Sequence, residues 1–314
     1  MLRYKLIKLS SLILLLVFTS CGSKNKLKET ILLPDYPSAS GLEYYNKRFY
    51  IIGDDANTLL ITDSNFRKVD SISLYSFTEK RIPKAVKADL ESSTMVNDND
   101  QQKLLILGSG SAANRNSGWL IDPLTKKTDS IRLDTFYQRL KANGLAEINI
   151  EGVCAYPGAI ILSNRGHKNY RKNFLVFSKQ NFWKNQSEAP ISMVRIGTNT
   201  DSTVFNGISG MVYSPKNDQL IITVSTEDTR STTEDGAIGK SYLWIVNDIS
   251  TKRNWKAINP TKIIDLEKVD ARFKGQKIES VCLVGETKKL LQLVLAADND
   301  NGSSTLFRIQ IAKN

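Results

Sequence analysis

Short apolar runs recur along this chain, each preceded by a polar opening in which Ser or Glu is followed by Gly or Ser. The openings are Ser40-Gly41-Leu42, Glu91-Ser92-Ser93, Glu151-Gly152-Val153, Ser209-Gly210-Met211 and Glu279-Ser280-Val281. The runs that follow are Phe49-Tyr50-Ile51-Ile52, Leu104-Leu105-Ile106-Leu107, Ala159-Ile160-Ile161-Leu162, Leu220-Ile221-Ile222-Thr223-Val224 and residues 290–297. Successive openings stand 51, 60, 58 and 70 residues apart. A repeat of that length in a chain rich in β-branched and aromatic residues predicts the blades of a propeller.

Each repeat continues in the same way. A third run occupies residues 58–61, 118–121, 173–177, 242–246 and 305–309, and a fourth occupies 69–74, 128–133, 192–196 and 263–266. These read as strands bounded by turn residues. The fifth repeat has no fourth run, but residues 30–33, Thr-Ile-Leu-Leu, precede the first repeat and are free to supply it. An N-terminal strand that completes the last blade closes the ring and protects its edge. The expected fold is therefore all-β, a five-bladed propeller of four-stranded blades. A six-bladed ring, its extra blade drawn from residues 246–277, is the alternative. One helix is expected at 135–143, capped by Asp134 and stopped at Gly144.

The first twenty residues stand apart from this pattern. Arg3, Lys5 and Lys8 precede a short apolar run, and Thr19-Ser20-Cys21 ends it. The run is shorter than the ~20 residues needed to span a bilayer. This resembles a bacterial lipoprotein signal peptide with Cys21 as the acylated first residue of the mature chain. The expected organisation is a signal peptide at 1–20, a lipidated tether at 21–28 and one propeller domain at 29–314. The tether residues are basic rather than acidic, which favours an outer membrane location facing the periplasm. The remaining thiols, Cys154 and Cys282, occupy equivalent places a whole repeat or more apart, so free buried thiols are expected rather than a bridge.

Charge adds one restriction. The net charge of +11 falls to +8 once the leader's three cations are removed. The lysines are scattered through turns and are not interleaved with aromatics, so no nucleic-acid groove is expected. No second domain is marked, and a monomer is expected.

In an up-and-down blade the start of the first strand and the end of the second meet near the axis on one face. That face should gather Ser40, Asp89, Glu91, Glu151, Ser209 and Glu279 with Asp54, Asp55, Ser109, Ser111, Asn164, Arg165, Glu227, Asp228, Asp298 and Asp300. Clustered carboxylates repel unless a cation neutralises them. A hard divalent ion such as Ca²⁺ takes six to eight oxygen ligands of this kind. Glu91, Glu151 and Glu279 are the candidate metal ligands, because a Glu that opens an inner strand has no turn role. Asp89, Asn114, Arg115, Asn164, Arg165, Glu227, Asp228 and Asp298 are the candidate ligand-binding residues, the guanidinium groups suiting a small anion. The structural alternative pairs each carboxylate with a nearby Lys or Arg. His167 is the only histidine, and nothing near it resembles a nucleophile elbow. Gly108-Ser109-Gly110-Ser111 resembles a phosphate loop but lacks the lysine such loops require.

Residues 87–92 (Lys-Ala-Asp-Leu-Glu-Ser), 107–115 (Leu-Gly-Ser-Gly-Ser-Ala-Ala-Asn-Arg), Asn149-Ile150-Glu151-Gly152-Val153 and Ser163-Asn164-Arg165-Gly166 resemble a family of bacterial lipoprotein propellers without an assigned reaction. The repeat style is also distantly similar to the "esterase-like activity of phytase" and SdiA-regulated propeller families. The calcium-phytase core is absent, and Asp54-Asp55-Ala56-Asn57 only echoes it. The resemblance implies a propeller with a shared face. Three functions stay open: a membrane-anchored module binding a small polar or anionic ligand through a divalent cation, a metal-dependent phosphoesterase or esterase-like hydrolase, and a non-catalytic interaction scaffold.

Overall fold

The computed structural model of the protein describes residues 24–197, 204–232, 236 and 238–313. The leader and Cys21 lie outside the described residues. The first strand, β1 (Lys26–Leu33), precedes blade one, which holds β2 (Ala39–Tyr45), β3 (Arg48–Gly53), β4 (Thr58–Asp63) and β5 (Lys68–Ser73). Blade two holds β6 (Leu90–Asp98), β7 (Gln101–Gly108), β8 (Ser117–Ile121) and β9 (Thr128–Arg132). Blade three holds β10 (Ile150–Tyr156), β11 (Ala159–Asn164), β12 (Asn173–Lys179) and β13 (Ser192–Ile196). Blade four holds β14 (Asn206–Ser214), β15 (Gln219–Glu227) and β16 (Ile238–Asn247), then, after a two-residue β17 (Ala257–Ile258), β18 (Lys262–Asp265). Blade five is β19 (Lys277–Glu286), β20 (Leu290–Asp298), β21 (Ser304–Ala312) and β1. The fold is a five-bladed β-propeller closed by the N-terminal strand.

The second strands explain why their apolar runs are continuous. Phe49 to Ile52, Leu104 to Leu107 and Ile160 to Leu162 are all buried, because each blade is covered on both faces by its neighbours. Five apolar clusters fill the five gaps between blades. The gap between blades five and one joins Phe49, Ile51 and Leu60 to Val294, Ala296 and Leu306. β1 runs antiparallel to β21, from Lys26 opposite Gln310 to Leu33 opposite Ser304. Lys26 and Leu27, expected in the tether, are thus already paired in the last blade, with Lys28 at a bulge beside them.

Residues 246–277 build no sixth blade. β17 joins β13 in parallel at the rim of blade three, and β18 is the outer strand of blade four. The helix α1 (Asp134–Ala142) forms, but Asp134 is not its cap. Leu133 holds that position without a side-chain bond, because it is buried in the cluster that Phe136, Tyr137 and Leu140 also fill. Asp134 instead accepts hydrogen bonds from Asn116 Nδ2 at 3.0 Å and Arg132 Nε at 2.9 Å. No helix among the described residues is long and apolar enough to cross a membrane.

Candidate functional site

All five inner strands carry a β-bulge at one equivalent place. The ladder slips between Ala39 and Gly41, Leu90 and Ser92, Ile150 and Gly152, Ile208 and Met211, and Ile278 and Ser280. The residues left unpaired are Ser40, Glu91, Glu151, Ser209 with Gly210, and Glu279. A bulge twists its strand and re-aims the extra side chain, so the repeat's polar opening is the mark of a built deformation. Gly210 must be small there: a Cβ would stand 2.6 Å from Ser280 Cα on the next inner strand.

The serines and glutamates then part company. Ser40 Oγ donates to Leu90 O at 2.5 Å and Ser209 Oγ to Ile278 O at 3.1 Å, so both tie one blade to the next. The three glutamates make no such tie among the described residues and line one pocket at the upper end of the axis, together with Ser40, Asp54, Lys84, Lys87, Asp89, Arg115, Asn149, Arg165, Lys277 and Asp298. The face is not simply acidic. Lys87 pairs with Asp54 and, at 2.8 Å, with Asp89. Arg115 Nη1 donates to Asp89 Oδ2 at 2.7 Å, and Ser109 Oγ donates to the same oxygen at 2.6 Å. Arg165 lies 2.5 Å from Glu227 and 3.7 Å from Glu151, and Asn149 Nδ2 donates to Glu151 Oε1 at 2.6 Å. Lys277 pairs with Glu279 at 3.1 Å. Gly207 gives Arg165 its room, since a Cβ there would stand 2.4 Å from Nε.

What remains unsatisfied is mainly acceptor capacity, although Arg115 Nε is also buried without a partner. Glu279 Oε2 and Asp54 Oδ1 are buried without a hydrogen-bond partner. Glu91 has no cation within ion-pair distance among the described residues, and its carboxyl, pushed up by burial and then by Asp89, Glu151 and Asp54, lies well above the ordinary range. Burial also raises Glu151 to about 7 against the pull of Arg165, Asp298 to about 7 and Asp54 to about 6. One oxygen each from Asp54, Asp89 and Glu91 lie within 4.8 Å of one another.

These shifts carry a sign. A carboxyl whose folded pKa exceeds its unfolded value stabilises the fold fully below the unfolded pKa, and that contribution is lost as pH rises through the folded pKa. Melting temperature should therefore fall between about pH 4.5 and 7 on account of this pocket. Glu91→Gln keeps the shape and removes the charge. It is expected to raise the melting temperature at pH 8, by about 2–4 °C per kcal/mol of repulsion relieved, and to change little at pH 4.5. A variant destabilised equally at both pH values would assign Glu91 a packing role.

The structure brings Asp89, Arg115, Arg165, Glu227 and Asp298 to the pocket beside the three glutamates. Asn114 stands behind it, donating to Lys87 O at 2.9 Å. Asn164 is fully buried at the end of β11, where Oδ1 accepts from Asn149 N at 2.7 Å. Asp228 points elsewhere and pairs with Lys168 at 2.6 Å on the surface. His167 lines the pocket and meets Glu147 at 3.0 Å. Cys154 and Cys282 are free and buried, and burial pushes both thiols up, out of the reactive range. Asp54 was expected on this face and lines it, whereas Asn149 and Lys277 were not expected there. Their signal was available: Asp89, Asn149 and Lys277 each stand two residues before a bulged Glu, and residues two apart share a strand face.

The fold and site together define a five-bladed propeller with a buried, ion-paired axial pocket. Residues 35–311 match the family described as a family of unknown function (DUF6929), and the chain belongs to that family. No curated protein matches it in sequence. Among solved structures it is similar to the glutaminyl cyclase of Myxococcus xanthus, with a TM-score of 0.55 and 10% identity over 92% of this chain and 97% of that one. A candidate exported protein of Bacteroides fragilis NCTC 9343 is similar at a TM-score of 0.43 and 9% identity, over 93% of this chain and 97% of that one. At 10% identity the likeness to the cyclase is one of fold.

Proposed function

We propose that this propeller is a lipid-anchored envelope protein whose axial pocket binds a small polar ligand through a divalent cation. The observation that carries the reading is the surplus of acceptors. Arg165, Lys87 and Lys277 are already paired with carboxylates, whereas Glu279 Oε2 and Asp54 Oδ1 are buried without donors and Glu91 has no cation within ion-pair distance among the described residues. A bare anion finds few free cations in such a pocket, and a metal ion supplies the missing positive charge and can bridge to an anionic group. Asp54, Asp89 and Glu91 are the ligand set with the required proximity. Lys87, seated between Asp54 and Asp89, is the ion's competitor. The same unpaired oxygens favour a second occupant, an amine or polyol that donates hydrogen bonds directly.

Thermal melts separate these readings. With Ca²⁺, Mg²⁺ or Mn²⁺ at about a hundredfold over its dissociation constant the protein should gain about 2.7 kcal/mol, a gain that EDTA reverses and Glu91→Gln reduces. Lys87→Met should strengthen the response by removing the competing ammonium. A melting temperature indifferent to all three ions and to EDTA would remove the cation and leave the organic donor. Hydrolysis is tested beside it, with phosphomonoesters, phosphodiesters and lactones offered to the metal-loaded protein and its Glu151→Gln variant. Turnover lost in the variant would make the protein a hydrolase, and neither binding nor turnover would leave the interaction scaffold.

A further inference from the structure

The two faces of the ring differ in charge, and the chain leaves by the more basic one. Inner strands start at the pocket, so the hairpins between first and second strands and the turns between third and fourth strands all lie on the opposite, lower face. β1 climbs from Lys26 at that face to Leu33 at the upper one, as its pairing with β21 requires. Asn25 is fixed there, its Oδ1 accepting from Ala312 N at 2.9 Å. Five residue steps separate Cys21 from Lys26, a reach of at most about 18 Å. An acyl chain on Cys21 therefore holds the lower face close to the bilayer and turns the pocket away from it.

The lower face is built for that position. Acids and bases nearly balance on the upper loops, so the chain's excess positive charge falls on the lower ones. Lys47, Lys256, Lys288 and Lys289 are exposed on lower loops and have no acidic partner among the described residues. Two exposed large apolar side chains occupy the same face: Leu124, 76% exposed in the turn between β8 and β9, and Trp255, 51% exposed in the segment between β16 and β18. Lone apolar residues are ordinary on a surface. Here they accompany a cationic face and the exit of the chain, and Trp is the residue that favours the headgroup level of a membrane. We propose that the lower face is a second, non-covalent membrane contact that lies on an anionic phospholipid surface, with Trp255 and Leu124 at the headgroups and the lysines against the lipid charge. This goes beyond the pocket's ligand and does not depend on it, and it rests on the lipid-anchored reading only for the orientation of the ring.

The experiment removes the acyl anchor and asks whether the face still binds. Every strand and every apolar cluster of the described residues lies between Lys26 and Ala312, so the chain from Gly22 onward contains all of them and lacks the acylation site. It is sedimented with vesicles of phosphatidylcholine alone or with about one third phosphatidylglycerol. Binding is expected only to the anionic vesicles, falling about tenfold or more when salt rises from about 0.1 M to 1 M, where the Debye length shrinks from ~10 to ~3 Å. Trp255 fluorescence should shift to the blue on binding, and Trp255→Phe should abolish that shift. The variant Lys47→Glu/Lys256→Glu/Lys288→Glu/Lys289→Glu should lose binding while melting normally. Lys141→Glu/Lys268→Glu/Lys274→Glu, on the upper face, should keep it. No binding to anionic vesicles, equal loss in both variants, or a dimer formed through Trp255 in the absence of lipid would overturn the proposal.

Discussion

Arg165→Met is expected to cost about 3–5 kcal/mol of stability, the range for breaking a buried ion pair from one side. The guanidinium is buried, with Nη2 on Glu227 at 2.5 Å and Nη1 facing Glu151 at 3.7 Å. Methionine fills much of the volume and leaves Glu227 and Glu151, both buried, without their guanidinium. Denaturant melts at pH 8 measure the loss. Acidification should restore part of it, because Glu151, already raised to about 7 by burial, is protonated at pH 5 and no longer needs the partner. A loss that is the same at pH 5 and pH 8 would assign Arg165 to packing alone. Arg165→Lys is not a neutral change either, since one ammonium cannot reach two carboxylates in the geometry of a planar fork.

The repeat was legible because propeller burial leaves an unusual trace. A second strand covered on both sides reads as four or more consecutive apolar residues, and five such runs at blade spacing permit few other folds. The closing strand was legible as the complement of a missing one. Much of the pocket's membership was legible from the repeat: Glu91, Glu151 and Glu279 stand at the bulge, and Asp89, Arg115, Arg165, Glu227 and Asp298 lie near the ends of the same strands and in the loops that follow them. Which of them pair was not. Lys87 and Arg115 converge on Asp89 from either side along the chain, and Arg165 reaches across to Glu227 on another blade. Distances between blades are set by the closure of the whole ring, so no local spacing encodes them. Asp228 shows the opposite error. It follows Glu227 directly, yet successive strand residues face opposite ways, and it ends on the surface with Lys168. Asp134 failed as a cap for a packing reason, since burial of Leu133 places the helix start one residue earlier.

Deletion of residues 29–33 should be the most damaging change of all, with the melting temperature falling by about 10 °C or more. β1 is paired along its length with β21, and its loss bares the outer edge of a strand whose Phe307, Ile309 and Ile311 belong to the core. Ile31 and Leu33 leave the gap between blades five and one, and Glu29 releases Arg308, which it meets at 3.0 Å. An open blade edge also invites pairing with a second chain, so aggregation should rise with concentration. A graft separates lost closure from simple truncation. Residues 24–34 appended after Asn314 through a short turn would enter the same register, because β21 ends and β1 begins on the lower face, where Asn25 already meets Ala312. That permuted chain should recover most of the melting temperature with the last blade now formed as a hairpin. Recovery would establish that the strand acts by completing the sheet wherever its peptide begins, whereas an unchanged melting temperature in the deletion itself would refute closure by β1.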